Sequence, residues 1–233
     1  MVDLSHRSAL PELMDDPATS AEDHARCLRD LAAVNRVTLT HRPTLRWLAR
    51  ATRDLPPDRP VSILDVACGE GDLLRAINRW AGRRRLPVRL EGLDLNPRSA
   101  VAAAGQTPPG MAIAWRTGDV FDHAPDPPPD FVVTSQFTHH LSDADVVRFL
   151  RWLEAHAARG WFIADLHRNA FAYHGFGLLA KVMRWHGIVR HDGMVSVARG
   201  FRRAEWRRLL AEAGVPGELR WHLAFRWCVG RLK

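Results

Sequence analysis

Residues 61–72 read VSILDVACGEGD. An apolar run closes on an acid, Asp65, and passes into a turn of small residues, and the LLRAINRWAG that follows has helical spacing. The order is a buried strand, a tight loop and a helix. Gly69 and Gly71 let the backbone turn sharply and lie close against a bound molecule, because a side chain at either place would intrude. The helix start beyond them offers unpaired N–H groups to an anionic group. A small ligand is therefore expected at the end of this strand.

Dinucleotide-binding loops also place glycines after a first strand, in the spacing G-x-G-x-x-G. Counted from Gly69 the third glycine would be Leu74, and counted from Ala67 it would be Asp72, so the spacing fails in both registers. What does fit is an acid at a strand end followed by Ala67-Cys68-Gly69-Glu70-Gly71. This resembles the first motif of the class I S-adenosylmethionine (SAM) methyltransferases, and DVACGEG is most similar to their ubiquinone/menaquinone-type small-molecule branch. The resemblance implies an α/β fold with a doubly wound, seven-stranded, mostly parallel Rossmann-like sheet, and SAM as cofactor. It further implies that the loop backs the amino-acid end of SAM while Asp65 orients the ammonium, often through water. Ala67 stands where the strict pattern has its first glycine, a change this branch commonly carries.

Later strands extend the reading. Residues 88–95, VRLEGLDL, end in Asp94, about twenty residues after the glycine turn, where an α/β nucleoside site places a carboxylate for the ribose hydroxyls. By resemblance Asp94 is the ribose ligand, with Leu95 and Asn96 beside it. Taken alone, the same acid could cap the helix NPRSAVAAA, which Pro97 opens. A third strand at 111–117 leads to Gly118-Asp119-Val120. There the resemblance implies that the Asp119 carboxylate meets the adenine amino group and that a neighbouring backbone N–H, at Val120, meets a ring nitrogen. A fourth strand at 130–136 brings Ser135 and Gln136 to the cofactor side and runs into Phe137-Thr138-His139-His140. Ser142 then caps a helix with Asp145 at its third position.

The two histidines fall at the carboxyl end of a central strand, where open α/β sheets bind ligands. Members of the family that methylate amino groups of adenine or glutamine carry an N-P-P-Y type tetrad here, and TSQFTHH is not one. Methyl transfer from a sulfonium is an in-line displacement, so holding the acceptor in near-attack geometry supplies up to about 7–11 kcal/mol. A hydroxyl acceptor must also lose a proton, to which a histidine base contributes about 10²–10⁴-fold. Neighbours on a turn point to different sides, so at most one of the pair is expected to face the acceptor; His139 is preferred and His140 stays open. The expected reaction is O-methylation of a hydroxyl on an aromatic or polyketide-like molecule. C-methylation of a quinol needs the same geometry and is the near rival. An RNA methyltransferase and a non-catalytic SAM-binding module are further alternatives. Asp165 and His167 match no established ligand set, and no metal centre is expected.

With 233 residues, 46% hydrophobic and 25% charged, the chain suits one full-sized α/β domain. Residues 1–55 are read as an N-terminal helical cap and 56–233 as the SAM-binding core. In the cap, Leu28, Leu31 and Val34 share one face, and Leu45, Trp47 and Leu48 share another after Pro43. This pair either covers the sheet or closes over cofactor and acceptor. After a fifth strand at 161–166, an insertion at about 167–200 holds the single tyrosine. It is read as a lid forming an apolar acceptor pocket, with His167, Arg168, Tyr173 and His174 as polar contacts. Extra core is the plain alternative for this segment. Its GLLAKVMRWHGIVR stretch could instead rest on a membrane as a basic amphipathic helix, a transient contact. A helix at 203–213 stops at Gly214, and ELRWHL and FRWCVGRL close the sheet as an antiparallel pair.

The net charge of +7 does not gather in one place: lysine occurs only at 181 and 233, and arginines are scattered among helices. Nucleic acid is accordingly not the expected partner. No apolar run is long enough for a signal peptide or a membrane span, and Cys27, Cys68 and Cys228 form no C-x-x-C. A cytoplasmic monomer or homodimer acting on a lipophilic or aromatic small molecule is expected.

Overall fold

The computed structural model describes residues 2–15, 19–56 and 58–233. Strand β1 (Val61–Val66) is an inner strand of a seven-stranded sheet. It pairs in parallel with β2 (Val88–Asp94) on one side and β4 (Phe131–Ser135) on the other. Outward from β2 comes β3 (Ile113–Thr117), and outward from β4 comes β5 (Gly160–Leu166), both parallel. The edge beyond β5 is an antiparallel pair, β7 (Arg226–Leu232) and then β6 (Glu218–His222), giving the order β3-β2-β1-β4-β5-β7-β6. The doubly wound sheet expected from the motif order is the one observed.

Successive side chains of a strand point to opposite faces, and helices cover both faces here. Leu64, Val66, Val132, Trp161 and Ile163 pack on one side against α5 (Asp143–His156) and α8 (Arg203–Ala213). Ile63, Phe131, Val133, Phe162 and Ala164 pack on the other against α2 (Arg42–Ala51) and α3 (Asp72–Arg83). Trp47 of α2 stacks on Phe162 at 5.2 Å between ring centres and meets Phe131 edge-on at 5.5 Å. The two cap helices thus divide the roles left open above: α2 covers the sheet, whereas α1 (Ala21–Val37) stands at the ligand-binding end.

Helix α4 (Pro97–Gln106) is capped by Asn96, whose side chain accepts from the Arg98 N–H, so Asp94 does not serve as that cap. Ser142 caps α5 and accepts from the Asp145 N–H, as its spacing implies. The insertion is a helical hairpin, α6 (Ala170–Val182) and α7 (Gly187–Arg199). GLLAKVMRWHGIVR is therefore not one helix: α6 ends at Val182, Arg184 turns through φ 55°, and α7 starts at Gly187. Trp185 and Val189 turn inward to join Cys27 and Val34 of α1 in a separate buried cluster. The hairpin buttresses α1, and Ser196 of α7 lines the cavity.

The sheet reverses its strand order between β1 and β4, so the loops leaving their carboxyl ends diverge and open a crevice.

Candidate active site

A cavity of about 570 Å³ occupies that crevice. Asp65, Ala67, Cys68 and Gly69 form its floor after β1, Asp94 and Asn96 one wall after β2, and Ser135 and Gln136 the other after β4. Ala67 (φ 56°) and Gln136 (φ 57°) hold left-handed backbone without being glycine, one on each side of the crevice. Such strain gathers where a site demands a particular turn. Gly71 precedes α3 at φ 74°, and a Cβ there would lie 2.0 Å from the Trp115 ring, so only glycine fits. Asp94 fastens the loop: its carboxylate accepts from Gly69 N–H at 2.8 Å and from Asn96 N–H at 2.9 Å.

The electrostatics of the crevice favour a cationic ligand. Among the described lining residues, Glu12, Asp65, Glu70, Asp72 and Asp94 face a single guanidinium, that of Arg98. Burial, and then the neighbouring Asp72 and Asp94, push the Asp65 carboxyl well above its usual range. Burial works the same way on Asp72, but His41 (3.2 Å) and Asn35 (2.6 Å) outweigh it and keep that carboxyl low. Burial raises the Cys68 thiol, which therefore stays protonated. Ser135 Oγ is buried on the cavity wall with no partner among the described residues. Gly71, Leu95, Asp119 and Val120 do not line this cavity. Leu95 is exposed, Asp119 accepts from the Phe121 N–H at 2.9 Å, and the Val120 side chain joins the core beside Leu93.

Beyond this crevice the cavity continues between the histidine turn, α1 and residues near the N-terminus. Thr138–His140 is a single 3-10 turn after β4. His139 is buried, and its Nδ1 lies 2.7 Å from Asp165 Oδ1 while its backbone N–H donates to Oδ2 at 3.0 Å. Thr138 Oγ1 and the Leu166 N–H donate to the same carboxylate. Burial opposes the His139 charge, but Asp165 and then Glu12 outweigh it and raise the imidazole to about 9. Burial likewise opposes the Asp165 charge, and His139 with the Thr138 hydroxyl pulls that carboxyl down to about 2. His139 is thus half of a buried ion pair.

His140 is the histidine that lines the cavity, which corrects the preference for His139. Burial and the adjacent His139 push its imidazole downward, leaving it neutral at physiological pH. Glu12 stands between the rings, with Oε1 3.7 Å from His139 Nε2 and 3.9 Å from His140 Nε2. Ser196 Oγ donates to it at 2.6 Å. Burial works against its charge, and His139 with His140 outweighs it, holding the carboxyl low. Among the described residues Glu12, His139 and His140 are the group whose ligand-type atoms converge, within 4.8 Å of one another. Donors of a tetrahedral zinc ion at about 2.1 Å lie about 3.4 Å apart, so the 3.7 and 3.9 Å separations are wide for a metal.

Glu12 had no local signal in the sequence; it arrives on an N-terminal strap held by distant groups. Arg168 donates to Leu4 O at 2.9 Å and Ser5 O at 3.2 Å, and Arg7 to His139 O at 3.0 Å and Leu141 O at 2.8 Å. Leu13 and Met14 N–H both donate to the Asp192 carboxylate at 2.8 Å. Arg168, expected as an acceptor contact, is instead buried and also bound to Gly200 O and Glu205. His167 accepts from Trp221 Nε1 at 3.3 Å beside the sheet edge. Tyr173 packs on Leu166 and Val197, and His174 is exposed on α6. None of these four lines the cavity. The end of the cavity beside the histidine turn is lined by Glu12, Met14, Leu28, Leu31, Ala32 and His140.

A family model described as "Methyltransferase domain" matches residues 39–215. The chain belongs to the methyltransferase domain family. The matched span carries every strand from β1 to β5, the glycine loop and the histidine turn. This methyltransferase is 30% identical over 114 residues to the trans-aconitate 2-methyltransferase of Mycobacterium tuberculosis, across 48% of the chain and 39% of the relative. It is 30% identical over 164 residues to that of Streptomyces avermitilis, across 66% of the chain and 58% of the relative. The chain thus spans less than two thirds of the length of either. Its fold is similar to that of the plantazolicin methyltransferase BamL in complex with a triazolic analog and SAH, with TM-score 0.65, 14% identity and coverage of 84% and 71%. It is also similar to the SAM-bound magnesium protoporphyrin IX methyltransferase ChlM of Synechocystis PCC 6803, with TM-score 0.55, 12% identity and coverage of 95% and 88%. Both curated relatives are named trans-aconitate 2-methyltransferase.

Proposed function

We propose that the chain transfers a methyl group from SAM to a hydroxyl oxygen of an uncharged, apolar or aromatic small molecule, with His140 taking the proton. The acidic crevice suits SAM, whose sulfonium and ammonium outnumber its single carboxylate. In this reading Asp65 meets the ammonium, the 67–71 loop backs the amino-acid end, and Asp94 beside Leu95 and Asn96 takes the ribose. Asp119 and Val120 take the adenine at the rim, and Ser135 and Gln136 close the far wall. SAM, when bound, supplies a methyl group on a sulfonium, whose C–S bond breaks as the acceptor oxygen takes the carbon.

The observation that carries the acceptor reading is the gap between Glu12 and His140. Glu12 Oε1 lies 3.9 Å from His140 Nε2, close enough to balance the charge on that ring once it takes a proton. An acceptor hydroxyl in the cavity donates to the neutral His140, and Glu12 stabilises the imidazolium that results. His139, charged and clamped by Asp165, holds Glu12 in place. Leu28, Leu31, Ala32 and Met14 around this point suit an apolar molecule. The same wall disfavours a polyanion such as trans-aconitate, for which the curated relatives are named. Arg98 is the sole guanidinium described in the lining, and its backbone is tied to Asn96 at the cofactor end.

Methyl-labelled SAM is incubated with phenols, alcohols, quinols, trans-aconitate and transfer RNA. Label is expected on an uncharged hydroxyl compound, with turnover falling at least about 100-fold in His140→Ala and SAM affinity unchanged. Label only on trans-aconitate or RNA, or unchanged turnover in His140→Ala, overturns the reading.

A further inference from the structure

Helix α6 has apolar side chains on two faces. Its inner face is spoken for: Ala180, Phe176 and Leu179 pack with Trp185, Val189 and α1, and Phe176 lies over Gly193 of α7, where a Cβ would come within 2.0 Å of its ring. The helix cannot roll to bury anything else. Its outer face carries Phe171, Leu178 and Val182, 79%, 64% and 68% exposed, spaced seven and four apart so that they form one stripe. Met183, 44% exposed, follows at the C-terminal end of the helix, and the exposed His174 lies beside the stripe between Phe171 and Leu178. An apolar row of this kind on an outer helix marks an interaction surface.

The charge around the stripe decides what covers it. Residues 166–191 contain no aspartate or glutamate. Lys181, Arg184 and Arg190 are exposed at the C-terminal end of α6 and beyond it, and His174 is exposed along it. The nearby acids of α1 are already engaged: Asp30 accepts from His186 N–H at 2.7 Å, and Asp23 lies 3.3 Å from His186 Nε2. A second copy docked about a two-fold axis would set these cations against their own copies. An anionic bilayer offers the opposite charge and an apolar interior together. No helix among the described residues is long and apolar enough to cross a membrane, so the contact is one of lying on the surface.

We propose that the outer face of α6 docks this protein on anionic lipid surfaces, with Phe171, Leu178, Val182 and Met183 entering the interface and Lys181, Arg184 and Arg190 meeting headgroup phosphates. The helix is 13 residues long, about 20 Å along its axis, and lies parallel to the membrane plane. It packs on α7, whose Ser196 lines the cavity, and on α1, whose Leu28 and Leu31 wall the acceptor end. The docked face is therefore one helical layer from the cavity.

The test is sedimentation of the full chain with vesicles of phosphatidylglycerol and phosphatidylcholine in equal parts, against phosphatidylcholine alone, across a salt series. Binding is expected to the anionic vesicles only and to weaken with salt. Leu178→Glu with Val182→Glu should lower the bound fraction roughly tenfold or more, and Lys181→Ala with Arg184→Ala should flatten the salt dependence. All four positions are exposed, so unchanged thermal unfolding and SAM affinity will show the variants intact. Failure of the wild type to bind anionic vesicles, or equal binding by the double glutamate variant, overturns the proposal. So does a dimer in light scattering that the glutamates abolish, since a second copy would then cover the face. Neither result bears on SAM binding or on His140.

Discussion

Two aspartates sit near the carboxyl ends of neighbouring parts of one parallel sheet, Asp65 in β1 and Asp165 in β5, and both are buried. Their electrostatics are opposite. Asp65 is desolvated among other acids and driven toward its neutral form. Asp165 is equally desolvated but receives His139, the Thr138 hydroxyl and two backbone N–H groups, and stays ionised. The cofactor crevice thus keeps an unmet preference for positive charge, whereas the histidine end has satisfied its own from within the chain. One end favours a cation from outside; the other is a finished internal ion pair beside a neutral histidine.

That contrast can be broken by mutation. Asp165→Ala leaves a buried His139 without its counter-charge and should destabilise the fold by about 3–5 kcal/mol in denaturant unfolding; a loss below about 1 kcal/mol would show the pair to be unimportant. The pH dependence of stability comes next. His139 has a raised folded pKa, so its contribution is full below the unfolded value near 6.5 and is lost as pH rises through about 9. Up to about 3 kcal/mol should disappear across that window, and His139→Gln should flatten the curve.

At the other end, Asp94→Ala removes the hydrogen bonds from Gly69 N–H in the loop and from Asn96 N–H as well as the proposed ribose contact. Calorimetry should show SAM affinity falling about 100-fold or more, while the stability profile across pH 6.5–9 keeps its shape. The smallest effect sharpens the comparison most. Asp65→Asn should change stability by less than about 1 kcal/mol, because burial and the neighbouring Asp72 and Asp94 already disfavour the carboxylate there. If a cation recruits the ionised form of Asp65, SAM binding releases a proton and strengthens with rising pH, and both behaviours should vanish in Asp65→Asn. Titrations in buffers of different ionisation enthalpy measure this directly.

The two ends also differ in how far they could be read from the chain. The strand-loop-helix at 61–72, the acid at 94 and the cap at Ser142 are short-range patterns. In them alternation, glycine placement and cap chemistry act within a few residues, and the structure bears out those elements. The histidine end has no such locality. Glu12 reaches His140 only because Arg7, Arg168 and Asp192 hold the strap across separations of more than 130 residues. Arg168 reads in sequence as a charge in an apolar insertion and hence as a pocket contact. Its donors are in fact consumed by backbone carbonyls and Glu205, a use invisible before the chain is folded. The insertion's apolar residues divide in a way its sequence does not show: Trp185 and Val189 join α1, Ala172 and Val197 pack on Leu166, and Phe171, Leu178 and Val182 face outward.

The amino-acid sequence by itself determined the buried strand, the acidic, glycine-turned loop and the helix after it, which follow from periodicity and turn chemistry over short spans, and through the family resemblance that this stretch carries it implied the doubly wound sheet and the crevice at its switch point. Only the tertiary structure decided which histidine is available, what stands opposite it and which face of α6 is left uncovered. Those depend on burial and on charges brought together from distant segments, and a side chain's ionisation is set by whatever neighbours folding supplies.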